Sequence, residues 1–183
     1  MAKPKAPRKP AAEPPTAKPY EPTDQERAAI KAHLARRGAW APAPRVKLEL
    51  LPKGGVCIGP DHPLRPMWAM RLQQVFGTVS SDFAGMMLRE LSDAVTLDRD
   101  TIDETTVNGT LAALHGINPQ DEVEAMLAAQ MVATHLAAME CLRRARLPGQ
   151  TFEGYDMNLR HAAKLTRTYT GFWAQTIEIS GIY

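Results

Sequence analysis

The sequence predicts an all-α domain: a helical bundle around one long central helix, with a short β-hairpin ahead of it and a disordered N-terminal tail. Three observations lead there. Apolar residues recur at helical spacing from Leu64 to Tyr169. The stretch from Pro119 to Arg146 is apolar on two opposite sides. The first 22 residues hold seven prolines and almost no large apolar side chains, so they cannot offset their ordering entropy by burial.

Taken in order, residues 1–22 form a Pro/Lys-rich tail, and residues 23–183 are expected to make one helical domain. Within it, 23–63 hold a helix and an extended arm, 64–170 the helical core and 171–183 a divergent C-terminal segment. Thr23-Asp24-Gln25-Glu26 has the form of a capping box, so a helix should begin there. It should stop at Gly38, with Ile30 and Leu34 as one thin apolar face. RVKLELLPKGGVCIGP alternates at Val46, Leu48 and Leu50, turns through Pro-Lys-Gly-Gly and resumes at Val56. That predicts a β-hairpin or extended arm over 45–58, with an irregular loop as the alternative.

From Leu64 onward the chain reads as helix. Pro66 to Phe76 leads to a break at Gly77. Ser80 or Ser81 caps a second core helix, 81–95, whose expected buried set is Phe83, Met86, Met87, Leu88 and Leu91. After the acidic turn LDRDTIDE comes a helix from Glu104 to His115, closed by Gly116. Asn118-Pro119 is read as the start of the long helix, with acids at its front and Arg143, Arg144 and Arg146 at its end. Its length would be about 40 Å. It should pack against the 81–95 helix and a terminal helix running from near Asp156 to at least Tyr169.

The totals limit what the chain can be. Two cysteines, Cys57 and Cys141, make no secreted disulfide framework, and the N-terminus has no apolar signal core. The most apolar run, Ala125 to Met139, contains Gln130, Thr134 and His135 and reads as too short to span a bilayer. A soluble, cytoplasmic protein with no membrane partner is expected. The net charge of +2 hides a division: the tail carries +3 and the remainder −1.

Catalytic chemistry finds little footing. His135 and Cys141 lie six residues apart, so on one helix they differ by about 120° and about 9 Å and cannot form a nucleophile–base pair. Both read as core, with His135 bonded to a neighbouring carbonyl or carboxylate. Cys57, His62, His33, His115, His135 and His161 come from separate elements without metal-ligand spacing, so neither a metal nor another cofactor is expected. GGVCIGPDHP lacks the Gly-Lys-Ser/Thr of a phosphate loop, and no GxSxG occurs. No catalytic residue is assigned, and an enzyme ranks third among the readings.

Two features could meet anions. Arg160, Lys164 and Arg167 share one stripe of the last helix, close in sequence to Arg143, Arg144 and Arg146. Lys3, Lys5, Arg8 and Lys9 of the tail are further contacts for nucleic acid or an acidic partner. The alternative is a solvated face paired with the many acids. VFGTVSSDFAGMML has the length of a helix-turn-helix, but Gln73 replaces the usual small residue and the second helix offers few groups to read bases.

GINPQDEVEAMLAAQMVATHLAAMECLRRA, followed by QTFEG and NLRHAAKLTRTY, resembles a family of uncharacterised alphaproteobacterial proteins, rhizobial ones especially, found in mobile or prophage-like regions. FGTVSSDF matches the family's upstream block ending in a Gly-Thr step, and the resemblance covers about residues 60–170. It implies a setting and no reaction or catalytic residues. The family's last helix continues as a Gln-x-Glu-x-Leu-like amphipathic run, where this chain has TGFWAQTIEISGIY. That end, with Phe172, Trp173, Ile177, Ile179, Ile182 and Tyr183, is either a divergent packing segment or the product of a frame change near Thr170. The expected function is a helical interaction or adaptor protein, self-association included, in a mobile-element context. The alternative is a nucleic-acid-binding accessory protein of phage packaging or regulatory type.

Overall fold

The computed structural model describes residues 20–38, 41–50, 56–96 and 103–180. By compactness the chain divides into two units, Met1–Ala41 and Pro42–Tyr183.

The described part of the first unit is α1, Asp24–Gly38. Its start is the expected capping box. The Thr23 N–H donates to Glu26 Oε2 at 2.7 Å, and the Glu26 N–H returns to Thr23 Oγ1 at 3.3 Å. The Tyr20 hydroxyl also donates to Glu26 at 2.6 Å, and these bonds, Tyr20's first, hold the Glu26 carboxyl below its ordinary range. The basic tail residues Lys3, Lys5, Arg8 and Lys9 lie outside the described residues.

The second unit is all-α apart from one hairpin. Its elements are β1 Val46–Leu50, β2 Val56–Pro60, α2 Arg65–Val75, α3 Ser81–Val95, α4 Glu104–Ile117, α5 Glu122–Ala145 and α6 Phe152–Ser180. The strands pair antiparallel, with Leu48 opposite Ile58. A lone two-stranded hairpin is marginal in water, and this one is held by α4. The buried Asn108 side chain accepts from the Val46 N–H at 2.8 Å and donates to the Val46 carbonyl at 3.0 Å. One turn earlier Glu104 accepts from the Leu48 N–H at 3.2 Å. Side chains at i and i+4 on a helix thus meet alternate residues of a strand edge, where another strand would otherwise lie.

The core gathers Val46, Leu72, Val75, Phe76, Leu88, Leu91, Val107, Leu111, Leu114 and the first half of α5. Met87 is buried with them, Phe83 packs partly against them, and Met86, expected inside, is exposed. Ser80 caps α3 by accepting from the Phe83 N–H at 3.2 Å. The α2–α3 turn passes through Gly77 at φ +53°, where a Cβ would stand 2.5 Å from the Pro119 carbonyl oxygen and 2.7 Å from the Asp121 nitrogen. Glycine is required there for both conformation and space. Next to it Thr78 Oγ1 donates to Glu122 Oε1 at 2.6 Å, joining that turn to the start of α5.

The α4–α5 junction corrects two boundaries. Gly116 stays inside α4, and Asn118 is its left-handed C-cap at φ +57°, donating to Leu114 O at 2.9 Å. The N-cap of α5 is Asp121, which accepts from Val123 N–H at 2.9 Å and Glu124 N–H at 2.8 Å. Glu124 reaches back to the Gln120 N–H at 2.8 Å, one residue ahead of the cap, in a variant of the capping box with Asp in the Ser/Thr place.

α5 is central, as expected, packing against α3, α4 and α6. At 24 residues it is long and apolar enough to cross a bilayer, contrary to the expectation for its inner run. A third of its most apolar window is buried, where the helix packs on its neighbours. α6 begins at Phe152, earlier than expected, and stays helical through Thr170 and on to Ser180. Phe172 is half-buried and Trp173 exposed. Ile182 and Tyr183 lie outside the described residues, as do the side chains of Ile177 and Ile179.

Candidate interaction site

The two faces of α5 end differently. In its first half Ala125, Ala128, Ala129 and Val132 close against the core. In its second half Leu136 still packs against the core, while His135, Met139 and Leu142 are exposed. The other face holds Met131, Thr134, Ala138, Cys141 and Ala145, where α6 packs. His135 is therefore not core. Its ring lies beside Tyr169 of α6, with centroids 5.8 Å apart, in place of the expected polar partner. Cys141 is half-buried, and Val123 is exposed.

Along the second half of α5 a groove of about 600 Å³ opens. Ala94 and Val95 of α3, Thr106 of α4, Leu136, Ala137, Met139 and Cys141 of α5 and Asn158 of α6 line it. A smaller groove of about 210 Å³ between α3 and α5, lined by Met87, Leu91, Met126 and Ala133, shares Ala94 with it.

Glu140, Arg143 and Arg144 rim the larger groove. Arg143 donates to both Glu140 oxygens at 2.7 and 2.8 Å, and Arg144 Nε donates to Oε1 at 2.7 Å. Hydrogen bonds from Arg143 and then Arg144 draw the Glu140 carboxyl down to about 2. Both arginine side chains remain more than half exposed beside the groove mouth.

The other predicted anion contacts lie elsewhere. Arg160, Lys164 and Arg167 are all exposed, on the side of α6 opposite the Ala162, Leu165 and Tyr169 face that meets α5. Arg160 pairs with Asp156 at 2.6 Å, while Lys164 and Arg167 have no ion-pair partner among the described residues. Arg143 projects about 160° away from the direction of α6. The structure does not gather the two basic groups onto one face. Arg146 is exposed at the end of α5.

The histidines and cysteines stay apart. Cys57 is exposed on β2, and His62 Nδ1 accepts from the Leu64 N–H at 3.0 Å. His33, His115 and His161 sit on α1, α4 and α6. Among the described residues no three His, Cys, Asp or Glu side chains come together to hold a metal ion. In the helix-turn-helix-like segment, the Gln73 amide donates to Val79 O at 2.9 Å, tying down the turn that a small residue usually makes.

The groove was not legible in the sequence. Its signal was indirect: α5 exceeds α3 by nine residues, so part of its apolar surface had to outrun its cover. Comparison with known protein families, with curated proteins and with solved structures finds no match to this chain.

Proposed function

We propose that this protein is a non-catalytic helical adaptor that takes an apolar helix of a protein partner in the groove along α5. The observation that carries the reading is that groove, with a lining mostly of apolar side chains from α3 and α5 and Arg143 and Arg144 at its rim. Apolar side chains at i, i+4 and i+7 of a docked helix would match such a surface. The arginines at one end favour a partner with acidic residues there. A mobile-element setting is the one the family resemblance implies, and a cytoplasmic location is the one the composition suggests.

Selecting amphipathic helical peptides against the full chain and against Ala137→Glu tests this. Binders to the native chain should lose at least about tenfold in affinity when a carboxylate enters the groove wall. Peptides that bind both proteins equally would defeat the adaptor reading.

Exposed Lys164 and Arg167 favour a second reading, a nucleic-acid-binding accessory protein. Binding of duplex and single-stranded DNA would be followed across a salt series, for the full chain, for a chain lacking residues 1–22 and for Lys164→Glu/Arg167→Glu. Affinity that survives truncation, falls steeply with salt and vanishes in the double variant would replace the adaptor reading.

A further inference from the structure

The geometry points to Asn108-Gly109 as a deamidation site that the docked hairpin holds closed, and whose conversion releases the hairpin for good. The site is separate from the groove and does not depend on the adaptor reading.

An asparagine side chain can be attacked by the backbone nitrogen of the next residue. Glycine in that place favours the attack, because it leaves the nitrogen uncovered and the backbone free to turn. The chain has three asparagines. Asn118 precedes Pro119, which has no N–H to give up. Asn158 precedes the branched Leu159, and its Nδ2 donates to the Gly154 carbonyl at 2.7 Å. Asn108 alone is followed by glycine. That glycine answers to nothing else in the fold. Gly109 is exposed, a Cβ there would meet no atom within 4 Å, and glycine inside a helix is weaker than alanine.

The native fold keeps the reacting atoms apart. Asn108 Oδ1 accepts from the Val46 N–H at 2.8 Å and Nδ2 donates to the Val46 carbonyl at 3.0 Å, so the amide is turned towards β1. Side chains on a helix lean towards its N-terminus, away from the next peptide nitrogen. Within α4 the Gly109 N–H is committed to the carbonyl of Thr105. Val46 is fully buried, and Glu104 holds Leu48 one turn earlier. These contacts must open before the amide can swing back. A two-stranded hairpin is an element that opens locally, and Asn108 lies in only the second turn of α4, where the helix frays once the hairpin has left.

The chemistry needs only water. The Gly109 nitrogen gives up its proton to solvent and bonds to the side-chain carbonyl carbon of Asn108. The bond from that carbon to the side-chain nitrogen breaks, and the nitrogen takes up a proton and leaves as ammonia. Water then opens the cyclic imide at either carbonyl, giving aspartate or isoaspartate at position 108. An aspartate carboxylate can accept from the Val46 N–H but has no hydrogen for the Val46 carbonyl, so two acceptors would face each other in a buried place. It would also stand one turn from the Glu104 carboxylate, a like charge at i, i+4. Isoaspartate lengthens the main chain of α4 by one carbon and breaks the helical ladder. Neither product lets the hairpin return.

The test incubates the full chain at mildly alkaline pH, in native buffer and in urea, and maps its peptides by mass spectrometry with an isoaspartate label. Conversion should fall at 108 and not at 118 or 158, and should be at least about tenfold slower in native buffer than in urea. Val46→Ala loosens the hairpin but keeps both backbone groups that Asn108 holds, and should speed native conversion about tenfold. Met131→Ala, on the α6 side of α5, should leave the rate at 108 near native. Gly109→Ala should slow conversion in urea at least about tenfold, with unchanged helical circular dichroism in native buffer. In Asn108→Asp, the Val46 amide should exchange hydrogen at least about tenfold faster than in the native chain. Equal rates in native buffer and urea, conversion spread over all three asparagines, or native protection of Val46 in Asn108→Asp would overturn the inference. So would a Met131→Ala rate that rises as far as that of Val46→Ala, which would place the opening in global unfolding. If Asn108→Asp fails to fold, the native and Val46→Ala rates decide alone, and equal rates reject the hairpin as the gate.

Discussion

Asn108→Ala gives the sharpest test of how the hairpin is held. The native amide satisfies both the N–H and the carbonyl of Val46, at 2.8 and 3.0 Å, and is 7% exposed. Truncation leaves two buried backbone groups without partners, each costing about 1–3 kcal/mol. The hairpin can escape that cost by lifting off α4, but Val46 is fully buried, and exposing it forfeits about 1.5–3 kcal/mol of apolar burial. Both routes lead to a loss of about 3 kcal/mol. That corresponds to a melting temperature lower by about 6–12 °C for a unit of this size. Urea unfolding would measure the loss, and hydrogen exchange at the Val46 amide would show whether the hairpin has lifted. A loss under about 0.5 kcal/mol with native protection at Val46 would refute the claim that Asn108 stands in for a strand.

Two further outcomes follow from the same geometry. Gly77→Ala should destabilise by about 3 kcal/mol or more in urea unfolding, because strain at φ +53° adds to a backbone clash at 2.5 Å; a cost under 1 kcal/mol would mean the two turns are not in contact. Glu140→Gln should cost about 1 kcal/mol at neutral pH, since the arginines it binds are more than half exposed and screened. The Glu140 carboxyl is depressed in the folded state, so its contribution is full above the ordinary value of 4.5 and fades as pH falls towards about 2. The gap between native and variant should close over that interval, and a pH-independent gap would contradict the assignment.

Sequence patterns disclosed the elements more readily than their meetings. Thr23 with Glu26, and Ser80 before Phe83, are local signals whose partners lie within one turn, and both helices start there. At the α4–α5 junction local signals competed. Gly116 resembled a stop and Asn118-Pro119 a start, but Asp121 with Glu124 formed a variant of the capping box and left Asn118 to end α4. His135 was misplaced because a helical wheel averages along an axis. It shows that α5 is apolar on both sides, but not which residues of each side its neighbours leave exposed. Asn108 and the groove depend on residues far apart in the chain, which no local spacing announces. Of the basic candidates, the stripe on α6 was legible as a stripe; its separation from Arg143 and Arg144 was not.

The contact at Gly77 has a consequence for how this protein can diverge. A groove wall or a helix seam is made of side chains and can be rewritten one residue at a time. At Gly77 main chain lies against main chain, so no substitution elsewhere can restore the distance once a Cβ intrudes. Lengthening either turn by one residue would also draw Thr78 away from Glu122. Gly77, Thr78, Pro119, Asp121 and Glu122 are therefore heritable as a set. Descendants of this chain can change their surface side chains while keeping that joint unaltered.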